Sequence, residues 1–439
     1  MFTYVKLKNY KSLVDFEVDL TDNKKNTKKF IIIYGENGAG KTNFINAFST
    51  LSETINTKIY KNLIDKFIEK NLDKKDNVEI LNEFIKNNLR NIEDIINDAK
   101  TIDSKENMSL EFGFRLNGKD GKYYIEMGKN SIVRENLEYV LSKNKTQYFD
   151  ISNKKIYINK SLFNSNKYFV EISDLIDKFW GKHSFLSIIL SEMIDKNESY
   201  IYTNIPKKLK NIIEYFLSLT THIGDEIINY KSNIDFHSGS INKNSKELLD
   251  FLDSFETYID MFFTDLYSDI KQVFYKKEYI DDDIIDYKLF VKKQIYGKLI
   301  DIDFSLESGG TKKLAKFAFI LYRYLNKNRV ALIDELDSGI HDFLFSCILK
   351  DLYLYLYNKM KGQLIITTHN TTLLETEIKK DYIYLFNIDS NGKKILIPIT
   401  EYEREHPNTN FRKRYLKGLY GGIPMIDNID FDDLLNQED

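Results

Sequence analysis

The stretch FIIIYGENGAGKTN, residues 30–43, decides the fold class of this 439-residue chain. Residues 30–34 are a continuous apolar run, which is typical of a strand buried on both faces of an α/β sheet. Residues 35–42 fit the pattern G-x-x-x-x-G-K-[ST], and a helical pattern begins near Lys41. A buried strand, a glycine-rich turn and a helix in this order predict a phosphate-binding loop, or P-loop.

The residue types of this loop suit a polyphosphate. Glycines let backbone N–H groups curl round phosphates at close range, and the helix N-terminus adds the positive end of its dipole. We expect Lys41 to reach the β- and γ-phosphates of a nucleotide and the Thr42 hydroxyl to ligate Mg²⁺. The nucleotide-binding residues predicted in this stretch are Asn37, Gly38, Ala39, Gly40, Lys41, Thr42 and Asn43.

The second motif is VALIDE at residues 330–335. Four apolar residues end in two acids, so Asp334 is expected at the carboxyl end of a core strand, where α/β sheets bind ligands. Asp334 can hold Mg²⁺ through water, and Glu335 can accept a proton from the water that attacks the γ-phosphate. The pattern is short, but downstream of a P-loop it predicts a metal ligand and a general base.

The third motif is a buried strand, QLIITT at residues 363–368, that ends in His369. A histidine at a strand end is most often structural. Because the P-loop and the Asp-Glu strand precede it, we expect His369 to hydrogen-bond the γ-phosphate as a catalytic residue.

The fourth motif, ESGGTKK at residues 307–313, opens a predicted helix. Ser308, Gly309 and Gly310 would form another anion-binding helix start. One P-loop already serves one nucleotide, so a second phosphate-binding turn predicts a site shared between two chains. The alternative is a simple helix cap, since serine is a preferred N-cap residue.

Along the chain the four motifs follow the order P-loop, Ser-Gly-Gly turn, Asp-Glu strand and histidine strand. In that order they resemble the ATP-binding-cassette (ABC) ATPase head, and Asp337-Ser338-Gly339 lies where that superfamily has its D-loop. The resemblance implies an α/β P-loop NTPase fold, with a mixed sheet and helical insertions. It also implies that two heads dock head to tail, with ATP and Mg²⁺ between one P-loop and the other chain's Ser-Gly-Gly signature. Transporter heads carry a glutamine loop as well, and no glutamine here has a convincing context; those considered are Gln147, Gln272 and Gln294.

Segments at both ends of the chain resemble particular branches of this ATPase superfamily. Asn9-Tyr10-Lys11-Ser12 resembles the NFKSF segment of the SMC, RecF and OLD branch, which implies that Lys11 and Ser12 lie against the nucleotide phosphates. The segment RYLKGLYGGIP, residues 414–424, and the ESGGTK signature resemble bacterial abortive-infection AAA ATPases of the AbiEii/AbiL, RloA and AriA kind. For the tail segment, a Gly-Gly-Pro turn that merely closes the domain is an equal alternative.

Composition limits the partners. The chain has 63 Lys+Arg against 66 Asp+Glu, a net charge of -3, which excludes binding to nucleic acid by bulk positive charge but leaves a local patch open. The single cysteine, Cys347, excludes a disulfide framework and a cysteine-based zinc site. The sequence has no signal-peptide pattern and no long uncharged apolar run, so we expect a cytoplasmic protein with no membrane span.

The patterns along the chain predict six segments. They are an N-terminal head part with the P-loop (1–50), a helical insertion (51–106), a head β-subdomain (107–165), a helical insertion or arm (166–280), a C-terminal head part (281–425) and an acidic tail (426–439).

A heptad-like seam in the arm is formed by Leu248, Leu252, Phe255, Ile259, Phe262 and Leu266. The opposite side carries Glu247, Asp250, Asp253, Glu256, Asp260, Asp265 and Asp269. Acids repel phosphate, so this helix is a poor candidate for contact with DNA. The acids predict either a solvated face on a packed helix or an arm that docks a protein. The apolar seam predicts a neighbouring helix, either inside the insertion or on a partner.

We therefore expect an ATP-hydrolysing head that forms a homodimer or higher homo-oligomer on ATP and acts as sensor or motor of an antiphage, abortive-infection system. OLD nucleases append a Toprim domain after the histidine strand, whereas only 70 residues (439 minus 369) follow His369 here. The D-x-D spacing in Asp430–Asp433 lacks the strand and glutamate of a nuclease site, so a separate effector, for example a Toprim-like nuclease, is expected. The alternatives are a DNA-repair ATPase of the RecF/SMC kind, a transporter nucleotide-binding subunit and a nucleotide-gated scaffold with almost no turnover.

Overall fold

A computed structural model describes residues 1–71, 90–141, 144–224, 226–228, 235–280, 283–324, 329–359, 362–389, 391–402, 406 and 409–423. In this part the helices are α1 (Lys41–Asn71), α2 (Ile92–Ala99), α3 (Asn166–Phe179), α4 (Phe185–Asp195), α5 (Glu198–Asn204), α6 (Lys207–Leu217), α7 (Lys246–Leu266), α8 (Gly309–Tyr324), α9 (Asp342–Lys359) and α10 (Phe411–Leu416). None of these described helices has the length and hydropathy that a membrane span requires.

The strands of the N-terminal half are β1 (Phe2–Tyr10), β2 (Leu13–Asp19), β3 (Phe30–Tyr34), β4 (Met108–Leu116), β5 (Lys119–Met127), β6 (Ile132–Val140), β7 (Lys145–Ser152) and β8 (Lys155–Ile158). Those of the C-terminal half are β9 (Thr220–Ile223), β10 (Glu226–Ile228), β11 (Ser238–Asn242), β12 (Ile270–Tyr279), β13 (Ile284–Ile295), β14 (Lys298–Asp303), β15 (Val330–Ile333), β16 (Gln363–Thr367), β17 (Ile383–Ile388) and β18 (Lys394–Pro398). These strands form three sheets.

The central sheet is mixed, with the order β10-β9-β15-β16-β3-β17-β18. The strands β9, β15, β16, β3 and β17 are parallel, and the two edge strands β10 and β18 are antiparallel to their neighbours. The carboxyl ends of β15, β16 and β3 therefore meet at one edge of the sheet, which is where the three strand-end motifs of the sequence lie. The predicted α/β fold with a mixed sheet is confirmed.

Alternation along the central strands divides the interior into two cores. In β3, Ile31 and Ile33 face a first core, while Phe30, Ile32 and Tyr34 face a second. All five residues of β3 are buried, as expected for a strand covered on both faces. The P-loop strand is thus held from both sides by packed side chains.

The first core lies between the central sheet and an antiparallel sheet of order β2-β1-β4-β5-β6-β7-β8. Helix α1 contributes Phe44 and Phe48 to it, and Phe48 packs edge-on against Phe2 at a ring-centroid distance of 4.9 Å. Alternation in the sequence predicts strands near residues 2–7, 16–20, 109–116 and 122–127 and a further β segment over 131–158, and these predictions are confirmed. The apolar face predicted at Ile92, Ile95, Ile96 and Ala99 is buried in α2, whereas the one predicted at Leu81–Leu89 lies outside the described residues.

The helical structure predicted over 166–280 is wrong in part, because this segment also contains strands. β9 pairs in parallel with β15 and so joins the central sheet next to the Asp-Glu strand. β11 and β12 pair with β13, which also pairs with β14, and together they form the third sheet. Short strands such as Thr220–Ile223 give too few residues for a period-2 pattern to stand out against helical neighbours.

The seam predicted on α7 is covered within the chain. Leu252, Phe255 and Ile259 are buried in the second core, with Phe263 rather than Phe262 completing the set. The Phe255 ring lies 5.4 Å from that of Phe319 on α8. The seam is therefore core within the chain, shared between the insertion and α8 of the C-terminal head part.

Acids of α7 are not simply a solvated face. Asp260 Oδ1 accepts the backbone N–H of Val273 at 2.7 Å, and Glu256 Oε2 accepts that of Tyr275 at 2.6 Å. Both amides belong to β12, an edge strand of the third sheet. Asp253 pairs with Lys277 on the same strand. These carboxylates close the open edge of β12.

Phe255→Ala should destabilise the chain by about 3–5 kcal/mol, because it leaves a cavity where a fully buried ring packed. The measurement is thermal or denaturant unfolding, and Met261→Ala on the same helix is the control. Met261 is 62% exposed, so its loss should cost less than about 0.5 kcal/mol. A Phe255→Ala protein that kept its stability but eluted as a smaller assembly would instead identify an interface.

Candidate functional site

The P-loop runs from β3 into α1, as the sequence predicts, and its glycines have structural reasons. Gly38 and Gly40 have φ values of +77° and +121°, which side chains disfavour. A Cβ on Gly35 would lie 2.6 Å from the Cβ of Phe386, so only glycine fits against β17. The loop conformation is therefore fixed by glycine at these positions.

Lys41 sits inside the loop and is only 5% exposed. Its ammonium donates to the carbonyl of Gly35 at 2.7 Å and to that of Glu36 at 3.0 Å. Burial lowers the pKa of Lys41, and the neighbouring carboxylates of Asp334 and Glu335 act in the opposite direction. This places a positive charge where the loop would hold phosphate.

Thr42 and Asp334 are in direct contact, although they are far apart in sequence. The Thr42 hydroxyl donates to Asp334 Oδ2 at 2.6 Å, and the Thr367 hydroxyl donates to Asp334 Oδ1. Both predicted Mg²⁺ ligands thus stand together at the carboxyl ends of β15 and β3. Among the described residues no group of three or more His, Cys, Asp and Glu side chains could hold a metal, so a cation at this pair would take further oxygens from phosphate and water.

Hydrogen bonds hold the backbone of Glu335, and the residue is exposed to solvent. Its φ is +45°, a left-handed conformation that is uncommon outside glycine. The Glu335 N–H donates to the Thr367 hydroxyl at 2.8 Å, and its carbonyl accepts from Lys313 Nζ at 2.6 Å. A fixed backbone and an exposed glutamate next to the predicted Mg²⁺ ligands suit a general base, a role that stays a prediction.

His369 follows β16 and is exposed, as predicted for a residue at the strand end. Its backbone N–H donates to Asp337 Oδ2 at 3.0 Å, which ties it to the turn after Glu335. The structure brings His369 to the same edge as Asp334 and Glu335; its catalytic role stays a prediction.

Ser308 directly precedes α8, and its hydroxyl accepts the backbone N–H of Thr311 at 3.2 Å. It therefore serves as a helix cap within its own chain. A Cβ on Gly310 would lie 2.2 Å from the carbonyl of Gly339, so the signature packs tightly on the Asp337-Ser338-Gly339 turn. Leu306 precedes the signature and Phe343 follows the turn along the chain, and they are 76% and 73% exposed. The cap does not exclude the predicted role on a second chain, which stays a prediction, as it does for Gly309.

The turn between β1 and β2 lies beside the loop. The Ser12 hydroxyl accepts from the Asn43 side chain at 2.7 Å, which places Ser12 against the start of α1. Lys11, in contrast, directs its ammonium to Asp98 at 3.3 Å. Ser12 thus lies next to the P-loop helix, while Lys11 is engaged by a carboxylate. The contact of either residue with nucleotide phosphates stays a prediction.

The tail segment forms a closing turn next to the P-loop strand. Gly421 and Gly422 both have a φ of +69°, and the Tyr415 hydroxyl donates to the Gly422 carbonyl at 2.9 Å. The Tyr415 ring lies 5.7 Å from that of Tyr34. The domain-closing interpretation accounts for these contacts; Pro424 and the acidic tail lie outside the described residues.

Sequence reasoning missed two residues of this site. Thr367 links Asp334 to the backbone of Glu335, and Lys394 donates to the P-loop carbonyl of Gly38 at 2.8 Å. The TT before His369 gave a weak hint of the first. Nothing in the sequence distinguishes Lys394 from the other lysines of a lysine-rich chain.

Comparisons with known proteins identify a matching family model and solved structures to which the chain is similar. A family model described as "AAA domain, putative AbiEii toxin, Type IV TA system" matches residues 30–375. No curated protein matches the chain. Among solved structures, the SMC head domain from Thermotoga maritima is 14% identical, with a TM-score of 0.38 over 91% of this chain and 98% of that one. The Smc head domain from Pyrococcus furiosus, with an extended coiled coil and bound to the C-terminal domain of ScpA, is 12% identical, with a TM-score of 0.40 over 91% and 97%.

Proposed function

The chain belongs to the AAA domain family whose model it matches over residues 30–375, and we propose that it binds and hydrolyses ATP as the sensor or motor subunit of an antiphage defence system. In this proposal two copies close on ATP, and their state controls a separate effector protein. The family description, with its toxin of a toxin–antitoxin system, supports the defence role.

The observation that carries the ATPase proposal is the meeting of Lys41, Thr42, Asp334 and Glu335 at one sheet edge. Lys41 would neutralise phosphate charge, and Thr42 with Asp334 would hold Mg²⁺, which supplies positive charge at the phosphates when bound. Glu335 would take a proton from the attacking water. These roles favour ATP hydrolysis over the alternative of a scaffold that binds nucleotide with almost no turnover.

The proposed dimer rests on the signature surface. Ser308 and Gly309 are exposed at the start of α8, where backbone N–H groups and the helix dipole favour an anion. The exposed apolar side chains of Leu306 and Phe343 beside them suit a protein contact. A second copy that brings its P-loop to this surface would complete one site with residues of two chains.

Lys41→Ala should weaken ATP binding by about 100-fold or more, since it removes a charged donor from phosphate in a largely buried position. Affinity is measured by titration with a fluorescent ATP analogue. In cells that carry this chain and its neighbouring genes, the same change should abolish protection in phage plaque counts. Wild-type affinity in the variant would contradict the P-loop assignment, and unchanged plaque counts would contradict the defence role alone.

A further inference from the structure

Lys394 joins three elements that meet at the P-loop. It opens β18, and its ammonium donates to the Gly38 carbonyl and to the Ser12 hydroxyl, both at 2.8 Å. The same Ser12 hydroxyl accepts from Asn43, the residue after Thr42. The hairpin of β17 and β18 therefore places a cation directly against the phosphate-binding loop.

The charge of Lys394 lacks a carboxylate partner among the residues that the structure describes. Its neighbour Lys393 is exposed and pairs with Asp15 at 2.7 Å, whereas the contacts of Lys394 are a hydroxyl and a carbonyl. Lys394 is also partly buried, and this burial lowers its pKa. A partly desolvated ammonium is stabilised by a nearby anion, so the position favours a negatively charged ligand.

The side chains of Thr42 and Asn43, two neighbouring residues at the start of α1, contact different parts of the site. The Thr42 side chain contacts Asp334, beside Glu335, and these residues define where the terminal phosphate reacts. The Asn43 side chain contacts Ser12, on the Lys394 side. Since a nucleoside polyphosphate is linear, its nucleoside end must leave the loop away from Asp334.

We propose that Lys394 is a further nucleotide-binding residue that contacts the phosphate nearest the nucleoside, the α-phosphate. This inference rests on the proposed ATP binding and adds to it a residue from the C-terminal hairpin. The contact would replace or share the present bonds of Lys394 to Gly38 and Ser12, so nucleotide would link the hairpin to the P-loop.

Three variants of the full-length protein test this role. Lys394→Met removes the charge and keeps a long apolar stem, which matters because the Lys394 stem packs near Gly40. Lys394→Arg keeps the charge. Lys393→Met removes the adjacent charge and is the matched control. The dissociation constants of ATP and of ADP are measured for each variant with Mg²⁺ present, and thermal unfolding reports on folding.

Lys394→Met should weaken ATP and ADP alike, by about 10- to 100-fold, because both carry an α-phosphate. Lys393→Met should change either affinity less than about twofold, and Lys394→Arg should retain most of the wild-type affinity. Equal affinities for Lys394→Met and Lys393→Met would overturn the proposal, as would a loss confined to ATP, which would place Lys394 at the γ-phosphate. If Lys394→Met lowers the unfolding temperature and Lys394→Arg does not restore affinity, the lysine is only structural and the proposal also falls. Failure of the wild-type protein to bind either nucleotide would instead refute the proposed function itself.

Discussion

Replacing Glu335 by glutamine should lower ATP turnover about 10²–10⁴-fold while nucleotide affinity stays near that of the wild type. The reason is that the residues predicted to bind phosphate and the predicted general base are different residues. Lys41 and Thr42 belong to the P-loop and are predicted to act on bound phosphate, whereas Glu335 is exposed and attached to the site through its backbone. Glutamine keeps the size of the side chain and cannot accept the proton of the attacking water.

The turnover is measured as phosphate release at saturating ATP, together with a binding titration. Glu377→Gln is the matched control, because Glu377 is an exposed glutamate paired with Lys350. Wild-type turnover in Glu335→Gln would show that the Asp-Glu strand end does not supply the base. A large loss of affinity would show that Glu335 acts on the ground state instead.

Mixing two inactive variants should restore activity if Ser308 acts on a second chain. Lys41→Ala removes the P-loop charge, and Ser308→Arg obstructs the signature surface. In a heterodimer one composite site carries both defects and the other carries neither, so partial turnover should return, up to about half of the wild-type rate per heterodimer.

The mixture is assayed for phosphate release after the heterodimer has been shown by tagged pull-down, and each variant alone provides the baseline. No recovery in a confirmed heterodimer would leave Ser308 as the helix cap seen within one chain. Phosphate release by the Lys41→Ala protein alone would mean that turnover does not require the P-loop lysine.

Much of the fold was predictable because the central strands are short, continuous apolar runs. Residues 30–34 and 330–333 are buried on both faces, and the predicted site residues follow the ends of these strands. The P-loop motif predicted the end of β3, and the order of the motifs predicted that β15 and β16 end at the same edge of the sheet. Local pattern and tertiary position agree at these residues, so the sequence was informative.

The parts that escaped prediction depend on contacts between distant segments. β9 has four residues, and its pairing with β15 on one side and β10 on the other is not visible in so short a stretch of sequence. Lys394 reaches the P-loop across more than three hundred residues of chain, and its type is too common here to stand out. Glu256 and Asp260 looked like a solvated face because helical periodicity cannot show that a neighbouring strand has free amides.

The carboxylates of α7 that accept the amides of β12 have a consequence during synthesis. The helix leaves the ribosome before the strand that it covers, since Lys246–Leu266 precedes Ile270–Tyr279. An unpaired strand edge is a template for aggregation, and nascent chains are most exposed to it while their partners are still untranslated. Here the acids that accept these amides are synthesised before β12. The preceding helix can therefore cover this edge of β12 as soon as the strand leaves the ribosome.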